Sequence, residues 1–246
     1  MVRLSVNVNK VATLRNSRGG AVPSLVDAVQ VCVDAGAPGI TVHPRADQRH
    51  IRPGDVYEIG AALEPLRERV EYNIEGDPRP ELVELVEKVR PHQCTLVPVR
   101  PGELTSEAGW PANTAKEALS EIIQRFHDCA VRVSVFVDPE PAAIDWAAAL
   151  GADRIELYTE PYARAFERGG DALTSSLDRY RAAVERATAN GLGVNAGHDL
   201  DLENLPTFLS LAGIDEVSIG HALMARAMFV GLRAVVAEYL QITGVR

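Results

Sequence analysis

Short β-branched segments alternate with longer amphipathic segments along the whole chain, and this alternation limits the possible folds more than any other feature. The period-2 and apolar runs predict strands at 4–8, 40–42, 70–75, 93–98, 131–137, 154–158, 192–195 and 214–219. Helical periodicity with Gly and Pro boundaries predicts helices at 22–35, 53–66, 78–89, 112–127, 139–150, 171–190, 202–211 and 221–240. Two polar segments, 9–20 and 159–170, are predicted to be loops. Because a helix returns the chain between consecutive strands, the strands are expected to run parallel.

Eight such units match the α/β class, as a (β/α)8 TIM barrel, and 246 residues is a typical length for this fold. The chain has no linker, low-complexity segment or change of composition, so we predict a single domain over residues 1–246. An open doubly wound sheet is the structural alternative. That fold often carries a GxGxxG turn after its first strand, which this sequence lacks.

The composition limits where the protein works and what it binds. A net charge of −9 argues against nucleic acid or an anionic membrane as the partner of the whole surface. No apolar run approaches the ~20 residues of a membrane span, and the first residues lack the apolar segment of a signal peptide. Cys32, Cys94 and Cys129 lie far apart, as expected for reduced thiols. We therefore predict a cytoplasmic protein.

In a TIM barrel the active site lies at the carboxyl ends of the strands. The segment 39–51 is the clearest example, because a buried strand is followed there by His43, Arg45, Arg49 and His50. Imidazole and guanidinium groups in one loop suit an anionic substrate. Arg49 is left without a role, and we expect it to form a salt bridge within the loop.

Two carboxylates and further histidines are predicted at the same rim. Glu75 and Glu156 each close a predicted strand, where partly desolvated carboxyl groups near imidazoles suit proton transfer. The alternative is that each carboxylate only neutralises a nearby arginine. Four of the six histidines fall at this rim, namely His43, His50, His198 and His221. The other two, His92 and His127, are expected to be structural or on the surface.

Residues 219–222 open the last predicted helix. Gly220 lets backbone N–H groups approach an anion, and the helix N-terminus adds partial positive charge there. Barrels often bind phosphate in the loops after strands seven and eight. We therefore predict a phosphate site near Gly220 and His221.

A zinc site and a Schiff-base lysine are two alternatives to acid–base chemistry at this rim. Histidines and carboxylates also bind zinc, but the place of an HxH pair on strand one reads Asn7-Val8-Asn9, and no helix carries HExxH. We predict no metal. Lys10 is a candidate for a Schiff base, although its place in a polar loop fits charge stabilisation better.

Taken in order and at their spacing, several segments resemble the pyridoxine 5′-phosphate synthase family over essentially the whole chain. The matching segments are VNVNKVATLRNSRG (6–19), GITVHPRADQRHI (39–51), NIE (73–75), LVP (96–98), LT (104–105), VNAGH (194–198) and IGHA (219–222). The resemblance implies a cofactor-free barrel enzyme of vitamin B6 biosynthesis, assembled as a homo-octamer. It would condense 3-amino-2-oxopropyl phosphate with 1-deoxy-D-xylulose 5-phosphate to pyridoxine 5′-phosphate, releasing phosphate and water.

The resemblance also implies a role for each matching residue. His43 and Glu75 would be general bases and His198 a general acid. The amino-ketone phosphate would be bound by Asn7, Asp199, Gly220 and His221. The deoxyxylulose phosphate would be bound by Asn9, Lys10, Arg45, His50 and Thr105, with Arg18 at the phosphate of either substrate and Glu156 as a further contact. The best-known members carry Asp-His in place of Asn9-Lys10 and Gly in place of Asp199, so substrate contacts there are expected to differ.

Two alternatives remain at this point. One is a phosphate-binding barrel that isomerises or epimerises sugar phosphates, which needs one carboxylate base and one phosphate site. The other is a barrel that binds a phosphorylated ligand without catalysis. For the synthase we further expect the loop 99–111 to close as a lid that protects the imine from water.

Overall fold

Eight parallel strands form a closed barrel in chain order in the computed structural model, which describes residues 1–98 and 106–244. The strands are β1 Arg3–Asn7, β2 Gly39–Val42, β3 Glu71–Gly76, β4 Gln93–Leu96, β5 Arg132–Val137, β6 Arg154–Tyr158, β7 Gly193–Gly197 and β8 Glu216–Ile219. β8 pairs in parallel with β1, where Val6 is opposite Ile219, and this pairing closes the barrel. The predicted TIM barrel is confirmed.

Helices connect consecutive strands and follow β8, and each of the eight predicted helices has a counterpart in the structure. They are α1 Asn9–Asn16, α2 Leu25–Asp34, α3 Pro53–Leu63, α4 Pro80–Val89, α5 Glu117–Asp128, α6 Pro141–Ala149, α7 Glu160–Arg168, α8 Gly170–Ala189, α9 Leu205–Phe208, α10 His221–Val230 and α11 Leu232–Thr243. A 3-10 turn at Glu64–Leu66 extends α3 to the end of the helix predicted at 53–66.

Both segments predicted as long loops contain a helix instead. In α1 only Ala12 and Arg15 are buried, so no apolar stripe marks this helix in the sequence. In α7 the chain begins with Glu160-Pro161, a favourable helix start, and buries Tyr162 and Ala165. The prediction of loops there was wrong because both helices are short and mostly polar.

Three helix predictions differ clearly in length from the structure. The helix predicted at 112–127 begins only at Glu117. Gly231 has a φ of 90°, which an α-helix does not contain, so the helix predicted at 221–240 is divided into α10 and α11. Of the helix predicted at 202–211, only the four residues of α9 are helical. Before α9 the chain forms a turn, in which Asp201 Oδ1 accepts the N–H groups of Glu203 and Asn204.

Side chains alternate between the two faces of each strand, as β5 shows. Val133, Val135 and Val137 point outward into the large apolar core beneath the helices. Phe136 points inward and belongs to a separate small cluster with Val97 and Tyr158 at the carboxyl end of the barrel. The main core is therefore the layer between sheet and helices.

The inside of the barrel is polar. The Thr41 hydroxyl lies 2.7 Å from the Ser5 hydroxyl, and Asn73 Nδ2 donates to Thr41 Oγ1 over 3.3 Å. The Thr95 hydroxyl donates to Asn73 Oδ1 over 3.1 Å, which completes a hydrogen-bonded chain across four neighbouring strands. Branched apolar residues dominate the interior of most TIM barrels. In this barrel most of the apolar packing is instead between the outer face of the sheet and the helices.

Candidate active site

A cavity of about 520 Å³ opens at the carboxyl ends of the strands. Twelve of the residues predicted for the site line it: Asn7, Asn9, Lys10, His43, Arg45, His50, Glu75, Glu156, His198, Asp199, Gly220 and His221. It is also lined by residues that were not predicted, including Thr13, Arg49, Val97, Ser106, Phe136, Leu200 and Ser218. Among the described residues, Arg18 lies apart from the cavity, on the exposed turn after α1. Thr105 and residues 99–104 of the expected lid lie outside the described residues.

His43 is held at the end of β2 by two asparagines. Its backbone N–H donates to Asn9 Oδ1 over 2.9 Å, and the Asn9 N–H donates to Asn7 Oδ1 over 3.0 Å. The imidazole is buried, and its Nε2 has no hydrogen-bond partner within the described part of the chain. Burial, followed by the charges of His50 and Arg45, lowers the pKa of His43 well below its usual value. His43 is therefore a neutral imidazole with an unused nitrogen at neutral pH.

Glu75 Oε2 lies 3.7 Å from His43 Nδ1, which is beyond hydrogen-bond range. Burial, and then the neighbouring Glu216 carboxylate, raise the pKa of Glu75 to about 8, although a hydrogen bond with Ser218 opposes the shift. Most Glu75 side chains are therefore protonated at pH 7. A carboxyl group with a pKa this close to neutrality exchanges protons readily in either direction.

The Glu156 carboxyl group lies close to a glycine of the neighbouring strand. A Cβ at Gly197 would lie 2.6 Å from Glu156 Oε1, so a side chain at residue 197 would displace the carboxyl group from this position. Burial, and then the charges of Glu75 and Glu216, raise the pKa of Glu156 well above its usual value. Burial among other carboxyl groups therefore favours the protonated form of Glu156.

Glu216 is a third buried carboxyl group, one that sequence reasoning missed. It begins β8, is 2% exposed, and has a pKa raised to about 7 by burial and then by Glu71, against the opposing charge of Arg154. The signal was present in the sequence, because Glu216 shares its strand face with Ser218 and Gly220, both of which line the cavity. It lies one layer below the cavity and raises the pKa of Glu75.

His198 follows β7 in an unusual backbone conformation. Its φ is 84° and that of Asp199 is 57°, both in the left-handed region that favours glycine. The ring centroid lies 5.6 Å from that of Phe136 and 5.4 Å from that of Tyr158. Burial lowers the pKa of His198, with Asp199 opposing and Lys10 adding to the shift. This second imidazole is also neutral at pH 7.

Cationic groups line the part of the cavity beside α1 and β2. Arg45 is 6% exposed, and Lys10 lies near the start of α1. Burial, and then the charge of Arg45, lower the pKa of His50 to about 4, so its ring is neutral. Arg49 forms the expected ion pair within the loop, with 2.5 Å between Nη2 and Asp47 Oδ2. This side of the cavity is suited to an anion.

At the end of β8, the strand that neighbours β1, Gly220 precedes the first turn of α10. A Cβ at Gly220 would lie within 3.1–3.2 Å of side-chain atoms of Asn7, so the backbone there approaches β1 closely. The N–H groups of a helix start favour a negative charge. The cavity therefore has two regions suited to phosphate, one beside α1 and β2 and one at the start of α10.

The remaining histidines lie outside the cavity, as predicted. His92 Nδ1 accepts the N–H of Tyr72 over 2.9 Å at the amino end of the barrel. His127 Nε2 lies 2.8 Å from Asp153 Oδ2 on the surface. In residues 1–98 and 106–244, no three or more His, Cys, Asp or Glu side chains form a group that could hold a metal ion. The helices within these ranges are all too short or too polar to cross a membrane.

The fold and the site define a class of protein. A TIM barrel whose rim combines neutral imidazoles, protonated carboxyl groups and two anion-binding regions is an acid–base enzyme for phosphorylated substrates. Residues 4–244 match the model of the family described as Pyridoxal phosphate biosynthesis protein PdxJ, and the chain belongs to this family. The resemblance inferred from the sequence motifs is confirmed.

Relatives align over nearly the whole chain. The chain is 50% identical over 240 residues to "Pyridoxine 5'-phosphate synthase" of Bacteroides thetaiotaomicron, covering 97% of this chain and 98% of that protein. It is 47% identical over 256 residues to the protein of the same name from Leptospira biflexa, covering 98% and 97%. The similarity therefore extends over nearly the whole barrel.

Solved structures share the fold at low identity. Phosphoribosyl anthranilate isomerase from Thermus thermophilus superposes with a TM-score of 0.59 at 18% identity, covering 98% of this chain and 100% of that chain. The YdjI aldolase from Escherichia coli K12 superposes with a TM-score of 0.62 at 13% identity, covering 99% and 92%. At such identities the likeness extends to the barrel alone.

Proposed function

We propose that the protein is a pyridoxine 5′-phosphate synthase that condenses 3-amino-2-oxopropyl phosphate with 1-deoxy-D-xylulose 5-phosphate. The observation that carries the proposal is the 50% identity to a synthase over 97% of the chain. The cavity agrees with this chemistry. Forming an imine, eliminating water and phosphate, and closing an aromatic ring are successive proton transfers, which require several acids and bases.

His43 is our candidate for the first general base. Its ring is neutral, and its buried Nε2 is available to accept a proton from the substrate. Glu75 would serve as a second base through its ionised fraction, roughly one in ten at pH 7 for a pKa of about 8. The low pKa of His198 means that it must first take up a proton before it acts as a general acid.

We assign the two substrate phosphates to the two anion-binding regions. The amino-ketone phosphate would lie near Asn7, Asp199, Gly220 and His221. The deoxyxylulose phosphate would lie near Asn9, Lys10, Arg45 and His50, with Thr105 and Glu156 as further contacts. Arg18 is assigned to neither phosphate, because it lies apart from the cavity. Because Asn9 Oδ1 already accepts the N–H of His43, its amide NH₂ is the group we assign to the substrate.

Lys10 distinguishes this chain from the best-known members, which carry histidine there. A lysine side chain places a compact cation on a long flexible stem, whereas histidine presents a short planar ring. The contact with the deoxyxylulose phosphate at this position should therefore differ in reach and geometry from that in a protein with histidine.

We further propose a single-domain homo-octamer that works in the cytoplasm without a cofactor and has no nucleic-acid or membrane partner. Met228 and Phe229, at the end of α10, are 76% and 88% exposed, and adjacent exposed apolar side chains favour burial between subunits. Cys32 and Cys94 are free and buried, in keeping with a reducing compartment.

The assay is direct. Purified protein is mixed with both phosphates, and pyridoxine 5′-phosphate absorbance and inorganic phosphate are followed together. His43→Ala and Glu75→Ala serve as the inactive variants. The expected result is equimolar release of both products by the wild-type protein only. Interconversion of a sugar phosphate without pyridoxine 5′-phosphate would instead favour an isomerase or epimerase, and two fully active variants would refute the assigned roles.

A further inference from the structure

Two consecutive residues of the site have a backbone conformation that costs energy. His198 and Asp199 have φ values of 84° and 57°, and neither is glycine. Such conformations are unfavourable for residues other than glycine and persist only where the surrounding structure holds them. The contacts that hold this peptide therefore determine where the His198 ring lies.

Thr159 makes the first of these contacts. It lies between β6 and α7, at the N-cap position of α7, and is fully buried. A threonine at this position usually accepts an N–H group of its own helix, but among the described atoms the Thr159 side chain makes no such bond. Its hydroxyl instead points at two carbonyl oxygens of the neighbouring strand, 2.6 Å from that of Gly197 and 2.5 Å from that of His198.

Asn204 holds the next residue from the other side. Its Nδ2 donates to the carbonyl oxygen of Asp199 over 2.9 Å, and the side chain is buried. The backbone carbonyl of Asn204 in turn accepts the hydroxyl of Tyr162, a residue of α7, over 2.7 Å. Both carbonyl groups of the strained pair are thus held by buried side chains that are connected to α7.

The conformation of this backbone determines where the imidazole lies. The ring of His198 packs against Phe136 and Tyr158. His198 and Phe136 line the cavity, whereas Tyr158 does not. Among the described residues, Thr159 is not part of the cavity wall, and its hydrogen bonds to the site go to the backbone carbonyl groups of Gly197 and His198. We propose that Thr159 is a positioning residue that fixes His198 in the left-handed conformation and so places its ring for proton transfer. The catalytic consequence rests on the role proposed above for His198.

A matched pair of variants tests the proposal. Thr159→Val removes the hydroxyl but keeps the shape of the side chain, and Thr159→Ser keeps the hydroxyl. We expect Thr159→Val to lower kcat about tenfold or more with little change in KM, because binding groups elsewhere remain in place. Thr159→Ser should stay within about threefold of the wild type. Equal kcat values for Thr159→Val and the wild type would contradict the catalytic consequence.

Crystal structures of the wild type, Thr159→Val and Thr159→Ser without substrate test the position of the His198 ring independently of the activity. In Thr159→Val the peptide at 197–199 should relax and the His198 ring should leave its place between Phe136 and Tyr158, whereas Thr159→Ser should retain it. An unmoved ring in Thr159→Val would overturn the proposal whatever the activity. Should Thr159→Val fail to fold, Thr159→Cys gives the same comparison. A fully active His198→Gln would refute the proposed acid role alone, since the crystal structures would still decide the role of Thr159.

Discussion

A buried ion pair between Arg15 and Asp55 connects α1 to the start of α3, beside the loop that carries His50. Arg15 Nη1 and Nη2 lie 2.5 and 2.8 Å from the two carboxylate oxygens, and both side chains are less than a tenth exposed. The neighbouring Asn16 Nδ2 donates to the His50 carbonyl oxygen over 2.8 Å. The pair therefore supports the position of a residue assigned to substrate binding.

Asp55→Ala should be strongly destabilising. Removing one partner of a buried ion pair costs about 3–5 kcal/mol, because the remaining charge is left uncompensated. The N–H of Arg52 also loses Asp55 Oδ2, its acceptor at 2.8 Å, which adds about 1 kcal/mol. Arg15→Met should lower the free energy of unfolding by about 3 kcal/mol. The loss is smaller because Asp55 still accepts the N–H of Arg52. In the double variant no charge is left buried, and we expect a loss of only about 2 kcal/mol.

The measurement is a double-mutant cycle by urea unfolding, followed by circular dichroism at pH 7 and one fixed protein concentration. The control is Glu84→Ala, which breaks a single exposed contact with Lys88 and should leave the urea midpoint nearly unchanged. Both buried single variants should also raise KM for deoxyxylulose phosphate through the His50 loop. Additivity of the two single variants within about 0.5 kcal/mol would refute the reasoning, because it would mean that the charges do not interact.

Two further predictions concern the carboxyl groups of the cavity. With a pKa of about 8, Glu75 loses its proton as pH rises, so kcat/KM of the wild type should increase about tenfold between pH 7 and 9 if the ionised form is the base. Glu75→Gln should lose both activity and this slope, and a flat wild-type profile would contradict the assignment. Gly197→Ala would place a methyl group 2.6 Å from Glu156 Oε1 and should lower kcat about tenfold or more. Gly54→Ala, where no described atom lies within 4 Å of the added methyl, is the control, and equal kcat values for the two variants would show that Glu156 tolerates displacement.

The barrel and most of the site could be predicted because both depend on local patterns. Strands such as β5 can be recognised by the alternation of their buried β-branched residues with other residues. Polar residues such as His43 and Glu75 lie at the ends of strands, where the sequence shows them directly. The helix α1 could not be predicted, because its buried side includes Arg15, whose partner Asp55 lies 40 residues further along the chain. Contacts of that range leave no periodic signal in the sequence.

Protonation states were also beyond sequence reasoning. Glu75 was interpreted simply as a base, whereas its pKa of about 8 results from burial and from Glu216 on another strand. The two asparagines Asn7 and Asn9 were assigned to substrates, but one of their tasks is to hold the backbone of His43. Such roles follow from the closure of the barrel, which brings the ends of distant segments within hydrogen-bond range.

Because the interior of the barrel is polar, adjacent residues of a strand serve different purposes: inward residues serve the chemistry of the site, and outward residues serve the stability of the fold. In β3, Ile74 packs outward beneath the helices while its neighbours Asn73 and Glu75 face the interior. Substitutions at inward positions change hydrogen bonding and proton affinity, and those at outward positions change the packing that keeps the chain folded. Chemistry and stability can therefore evolve on alternate residues of the same strand, so that a new substrate preference need not weaken the scaffold that presents it.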